Sequence, residues 1–222
     1  MSGTNPEFSI LVFARAPVAG AAKTRLIPLL GAAGAAALHA RLIEHALTTA
    51  RAACPHALQL WCAPDTLHPF LQAAAERHRA TLHAQHGADL GARMAHAFAA
   101  TLKNTTSDTA IYPICIGADC PALTVQHLHD AAAVLQAGAD AVFAPAEDGG
   151  YALVGLSRHE PRLFTGIDWG GAEVMAQTRA RLRSLDLRWQ ELETLWDVDR
   201  PADYSRLQMS GLLPENASDT PQ

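Results

Sequence analysis

Short apolar runs alternate along this chain with longer segments of helical periodicity, and few folds accept that order. Residues 8–14, 57–62, 110–117, 141–145 and 151–156 read as strands buried on both faces, and 80–84 and 187–191 as shorter ones. Helices are predicted over 34–53, 66–77, 90–102, 124–137, 171–183 and 201–209. Asp65 or Thr66, Asp89 and Thr124 stand at N-cap positions, and Pro201 opens the last helix. Strands alternating with helices imply a Rossmann-like α/β fold, a mixed and mostly parallel sheet with helices on both faces. No repeat or linker interrupts the 222 residues, so one domain over 8–210 is expected, with disordered ends at 1–7 and 211–222.

Composition removes several function classes. A net charge of −5 argues against a nucleic-acid partner, which calls for a basic surface. Cys54, Cys62, Cys115 and Cys120 form no C-x-x-C, so neither a zinc ribbon nor a thioredoxin motif is available. They read as reduced thiols of a cytoplasmic protein. Residues 1–7 lack the basic and apolar regions of a signal peptide. The uncharged run 26–38 holds Pro28, Gly31 and Gly34 and is too short to span a bilayer, so no membrane partner is expected. Oligomeric state is not readable.

Open α/β sheets bind ligands beyond the carboxyl ends of their strands, so the loops after the apolar runs carry the interest. The first holds Arg15, Gly20, Lys23 and Arg25. No acidic residue occurs between Phe8 and Ile43, which makes a local positive field in an acidic chain. Lys23 is one of two lysines beside fifteen arginines, which suggests a point-charge contact to phosphate. A solvated basic loop is the competing reading. A P-loop is excluded because Gly20 stands three residues before Lys23, and a dinucleotide fingerprint because no G-x-G occurs.

The second loop, after residue 117, carries Asp119, placed to hold a hard divalent cation; a turn aspartate before Pro121 is the alternative. The third, Glu147-Asp148-Gly149-Gly150, offers a carboxylate as general base and bare backbone against which an acceptor can lie. Asp197 and Asp199 fall on one face of an extended stretch, so either can supply a second metal ligand, unless Asp199 caps the helix that begins at Pro201. Gln85 and Arg93 flank a helix start and can touch a base or phosphate, or simply face solvent. Trp169 can stack on a sugar or base, or anchor packing.

Lys23-Thr-Arg-Leu, Gly117-x-Asp119-Cys-Pro121, Pro145-x-Glu-Asp148-Gly-Gly-Tyr151 and Asp197-x-Asp199-x-Pro201 together resemble the bacterial glycosyltransferase-A-like (GT-A) family of nucleotide-diphospho-sugar transferase fold, from Phe8 to Leu207. The resemblance implies that Lys23 and Arg25 contact phosphates, that Asp119 binds Mg²⁺ or Mn²⁺, and that Asp197 or Asp199 completes the metal site. It leaves Lys23, Asp119 and Asp148 as the catalytic set. The expected activity is a metal-dependent transferase taking a nucleotide or nucleotide-sugar donor and a small-molecule acceptor. Several cations on one loop tilt it towards nucleotidylyl transfer with pyrophosphate release. Glycosyl transfer is the alternative. The opening loop holds one glycine where nucleotidylyltransferases carry a Gly-rich run, and the glycosyltransferase D-x-D is a lone Asp119. These departures support a third reading, an inert nucleotide-binding module.

Overall fold

A computed structural model describes residues 8–54, 56–103 and 111–213. The order is β1 (Phe8–Arg15), α1 (Ile27–Ala53), β2 (Leu58–Ala63), α2 (Pro69–His78), β3 (Thr81–Ala84), α3 (Leu90–Lys103), β4 (Tyr112–Gly117), α4 (Val125–Gln136), β5 (Ala141–Pro145), β6 (Tyr151–Leu156), α5 (Val174–Ser184), β7 (Trp189–Glu191) and α6 (Pro201–Ser210). The seven strands form one sheet in the order β3-β2-β1-β4-β6-β5-β7. β6 runs antiparallel to β4 and β5, and the remaining pairs are parallel. The mixed, mostly parallel α/β reading therefore holds. The ends 1–7 and 214–222 lie outside the described residues.

Each face of the sheet is covered. Val12, Leu60, Ile114 and Ile116 point into a core closed by α1, α2 and α4. Leu11, Trp61, Phe143 and Val154 point the other way, under α3, α5 and the 3-10 turn Pro161–Phe164. Phe98 of α3 stacks on Phe164 there, ring centroids 5.8 Å apart. A smaller cluster of Leu26, Leu38, Leu42, Val198 and Leu207 pins α6 beneath the start of α1. The four cysteines are buried thiols outside any disulfide. Burial pushes the Cys62 and Cys120 thiols up to about 12, which keeps them protonated and inert.

Three helix starts differ from the sequence reading. α1 begins at Ile27, not residue 34. Pro28 sits in its first turn, where a missing N–H costs nothing, and the backbone breaks at Gly31 (φ 70°). Thr24–Ala53 is thereby long and apolar enough, by length and composition, to cross a bilayer, where the run 26–38 alone is not. Its apolar face is spent on the core, through Leu38, Leu42, Leu47 and Ala50. α2 starts at Pro69, because the Asp65 carboxylate accepts from Leu67 N at 2.8 Å and caps a turn instead of a helix. α5 starts at Val174, after a turn through Gly170 and Gly171. Asp89 and Thr124 act as expected, accepting from Ala92 N and His127 N.

Phe98 is fully buried and fills the space between α3 and the 3-10 turn. Phe98→Ala is expected to lower stability by about 3–5 kcal/mol. Urea denaturation of both proteins measures it.

Candidate active site

The carboxyl ends of β1, β4 and β5 share one edge of the sheet, and residues 195–199 cross it. Leu195 N donates to Pro145 O (2.8 Å), Glu147 N to Leu195 O (2.9 Å) and Val198 N to Asp119 O (2.9 Å). This lacing brings Asp197 and Asp199 beside Asp119. The Asp199 and Arg200 N–H groups both donate to Asp203 Oδ2, at 3.0 and 2.7 Å. Asp203 therefore satisfies the start of α6, and the Asp199 carboxylate is left for other partners.

Those partners are cations. Lys23 Nζ lies 2.7 Å from Oδ1 of Asp119 and 2.7 Å from Oδ1 of Asp199. Arg25 Nη1 reaches the outer Asp199 oxygen at 3.3 Å. The Lys23 side chain is 4% exposed, against 43% for Asp119, 36% for Asp199 and 62% for Arg25. Lys23 is thus not the free point charge the sequence suggested. Burial opposes its charge, but the two carboxylates outweigh burial and raise its pKa. Burial likewise opposes ionisation of Asp119, and Lys23 and His39 overcome it, holding that carboxyl well below the usual range.

His39 went unnoticed in the sequence. Its Nε2 donates to Arg15 O (3.0 Å), and its Nδ1 stands 3.5 Å from Asp119 Oδ1. The available signal was an imidazole on the apolar stripe of α1, between Leu38 and Leu42.

Three cavities meet at Asp199. The first, about 490 Å³, is walled by Arg15, Lys23, Arg25 and His39 against Asp119 and Asp199. The second, about 340 Å³, lies between Arg25 and Arg200 on one side and Glu147, Asp148 and Asp203 on the other. The third, about 270 Å³, sets Asp119, Asp148, Asp197 and Asp199 against Tyr151 and Trp169, and no Lys or Arg lines it. Burial, with the Asp148 and Asp199 charges added, raises Asp197 to about 6.

The other expected site residues divide. Arg15 lines the first cavity, Glu147 the second, and Gly150 and Trp169 the third. Glu147 also pairs with Arg206 at 2.8 Å, and Asp148 Oδ1 accepts from Gly150 N at 2.9 Å. Gly149 (φ 91°) is required by packing, since a Cβ there would lie 1.8 Å from Ala172 O. Gly20 (φ 83°) faces open space. Gln85 and Arg93 line none of these cavities. Gln85 donates to Trp61 O (2.8 Å) and Arg93 to Gly87 O (3.2 Å), so both serve nearby backbone carbonyls.

The expected Mg²⁺ or Mn²⁺ meets a poor fit. The donor set is all carboxylate oxygen, which suits a hard ion. Yet among the described residues no three His, Cys, Asp or Glu side chains gather closely enough to enclose one. The inner oxygens of Asp119 and Asp199 both face Lys23.

A bacterial sequence family described as "Uncharacterized protein conserved in bacteria (DUF2064)" matches residues 46–171, which include Asp119 and Asp148. The chain belongs to this family. A crystal structure from Desulfovibrio desulfuricans G20, described as a nucleotide-diphospho-sugar transferase, superposes with TM-score 0.81 at 30% identity, over 96% of this chain and 90% of that one. A cytidylyltransferase from Leptospira borgpetersenii matches with TM-score 0.60 at 11% identity, over 91% and 85%. Glucosyl-3-phosphoglycerate synthase from Mycobacterium tuberculosis, solved with Mn²⁺, UDP and glucosyl-3-phosphoglycerate, matches with TM-score 0.52 at 11% identity, over 93% and 77%. No curated protein sequence matches significantly. The chain thus has the fold of nucleotide-using transferases and stands with them as a transferase.

Two predictions follow from the geometry. Asp119, depressed in the fold, stabilises above the unfolded carboxyl pKa of about 3.9, and that contribution is lost as pH falls. Lys23, raised in the fold, stabilises below the unfolded value of about 10.4, and that contribution is lost as pH climbs through the folded value. Melting temperature should hold a plateau between those limits, and Asp119→Asn should flatten the acid limb. Secondly, Gly149→Ala should destabilise far more than Gly20→Ala in urea titrations, because only the first adds a backbone clash to the left-handed penalty of about 1–2 kcal/mol.

Proposed function

We propose that this chain transfers a glycosyl group from a nucleotide-diphospho-sugar to a hydroxyl-bearing acceptor without a negative charge of its own. The division of the cleft carries the reading. A cationic cavity and a purely acidic one lie on the two sides of Asp119 and Asp199. The donor's diphosphate suits the wall of Arg15 and the exposed Arg25, where charge develops as the nucleotide leaves. The acidic cavity repels phosphate or carboxylate acceptors and accepts neutral ones. Trp169 lines this cavity, and an indole suits contact with a sugar. Asp197, with a pKa near 6, suits removal of the acceptor proton. The 30% identical Desulfovibrio protein bears the matching description.

Lys23 also changes the weight of the sequence argument. A triphosphate called for several uncommitted cations on the loop, and Lys23 is shared between two aspartates. Nucleotidylyl transfer keeps one supporting observation, that Arg15 joins Arg25 on the cationic wall.

The test is a panel of nucleotide-sugars and nucleoside triphosphates with neutral polyol acceptors. Release of nucleoside diphosphate supports glycosyl transfer, and release of pyrophosphate overturns it. With the active donor, Asp197→Asn should lower kcat by about 10²–10⁴ and remove a rise in rate through the region of pH 6. An unchanged pH profile in the variant would return the base role to Asp148.

A further inference from the structure

The position a metal ion would take between Asp119 and Asp199 is filled by a side chain. Lys23 Nζ stands 2.7 Å from an oxygen of each, and its side chain is almost wholly buried. The backbone goes out of its way to put it there. Lys23 is left-handed (φ 48°, ψ 46°), a conformation that costs a residue with a Cβ about 1–2 kcal/mol. The residue type fits the task. In a chain with fifteen arginines and two lysines, a compact ammonium with three donors stands here and reaches both carboxylates. Arg25 lies on the outer oxygen of Asp199, and His39 lies beside the inner oxygen of Asp119. Lys23 and Arg25 together carry as much positive charge as Asp119 and Asp199 carry negative.

We infer that Lys23 is a resident cation of this cleft, holding Asp119 and Asp199 together in the place of a divalent metal ion, so that the resting site takes up neither Mg²⁺ nor Mn²⁺. The inference does not depend on which group the protein transfers. Removing the ammonium leaves Asp119 without its cation beside Asp199, which keeps only Arg25, and Asp197 lines the same cleft. The same oxygens then become a hard-ion site. Lys23 therefore sets the ion preference of the cleft.

Mn²⁺ alone is a sufficient probe, read by loss of the aqueous Mn²⁺ signal in electron paramagnetic resonance. Wild type should leave that signal unchanged. K23M should bind Mn²⁺ at least about tenfold more tightly than wild type, and K23M/D119N should lose the gain. Wild-type uptake equal to that of K23M overturns the inference, as does a K23M protein that binds no better than wild type. Far-UV circular dichroism checks that K23M folds. If it does not, the wild-type protein still decides the matter. It has only two lysines, so ¹⁵N-labelled side-chain ammonium spectra contain one buried signal, that of Lys23. Added Mn²⁺ should leave that signal as sharp as before, and its selective broadening would show a metal ion entering beside Lys23 and overturn the inference.

Discussion

A lysine between two aspartates adds a charged contact to three parts of the chain that the shared packing of Leu26 and Val198 and the Val198 N to Asp119 O hydrogen bond already bring together. The loop after β1, the end of β4 and the return at 195–199 each contribute one charge to the contact. A charge removed from water is costly without a partner, so none of the three can shift alone. Lys23 adopts a left-handed backbone in this arrangement, and Asp203, by capping α6, leaves the Asp199 carboxylate available to it. The apolar core positions the strand ends, but compensation of charge fixes the side chains above them.

The same contact partitions the cleft. On one side of the aspartates the lining is cationic, and on the other it is acidic and aromatic. A displacement reaction needs that polarity. The departing group gathers negative charge, and the incoming one gives up a proton. Both ends are served when positive and negative walls face the two halves of one cleft.

Much of the fold is legible in the sequence because its signals are local. The apolar runs 141–145 and 151–156 match β5 and β6, and the five residues between them are too few for a crossover, which makes that pair antiparallel. Thr124 caps α4 through its own side chain. The site is legible only in part. Strand ends point to Asp119, and alternation points to Asp197 and Asp199. Pairings across the chain do not show, so Lys23 reads as a free cation while its partner lies 176 residues away. Gln85 and Arg93 read as ligands because their types suit that role, yet nearby carbonyls claim both. His39 hides in an apolar helix, where composition gives a lone imidazole no distinguishing mark. The start of α1 was obscured because Pro28 and Gly31 break helices in general but occupy a first turn and a kink here.

The close contact at Gly149 bears on how the acidic cavity can move. Ala146 and Gly150 close the hairpin tip with a hydrogen bond of 3.0 Å, and Met175 N donates to Gly149 O at 2.8 Å. With bare Gly149 backbone pressed on Ala172, the hairpin and the segment leading into α5 form one rigid body. Tyr151 and Trp169, in edge-to-face contact, ride on it together. The cavity therefore has no hinge on that side. The start of α3 is held as well, since a Cβ at Gly91 would lie 2.6 Å from Trp169 Nε1. The aromatic wall is thus a fixed surface against which the size of anything entering the cavity is measured.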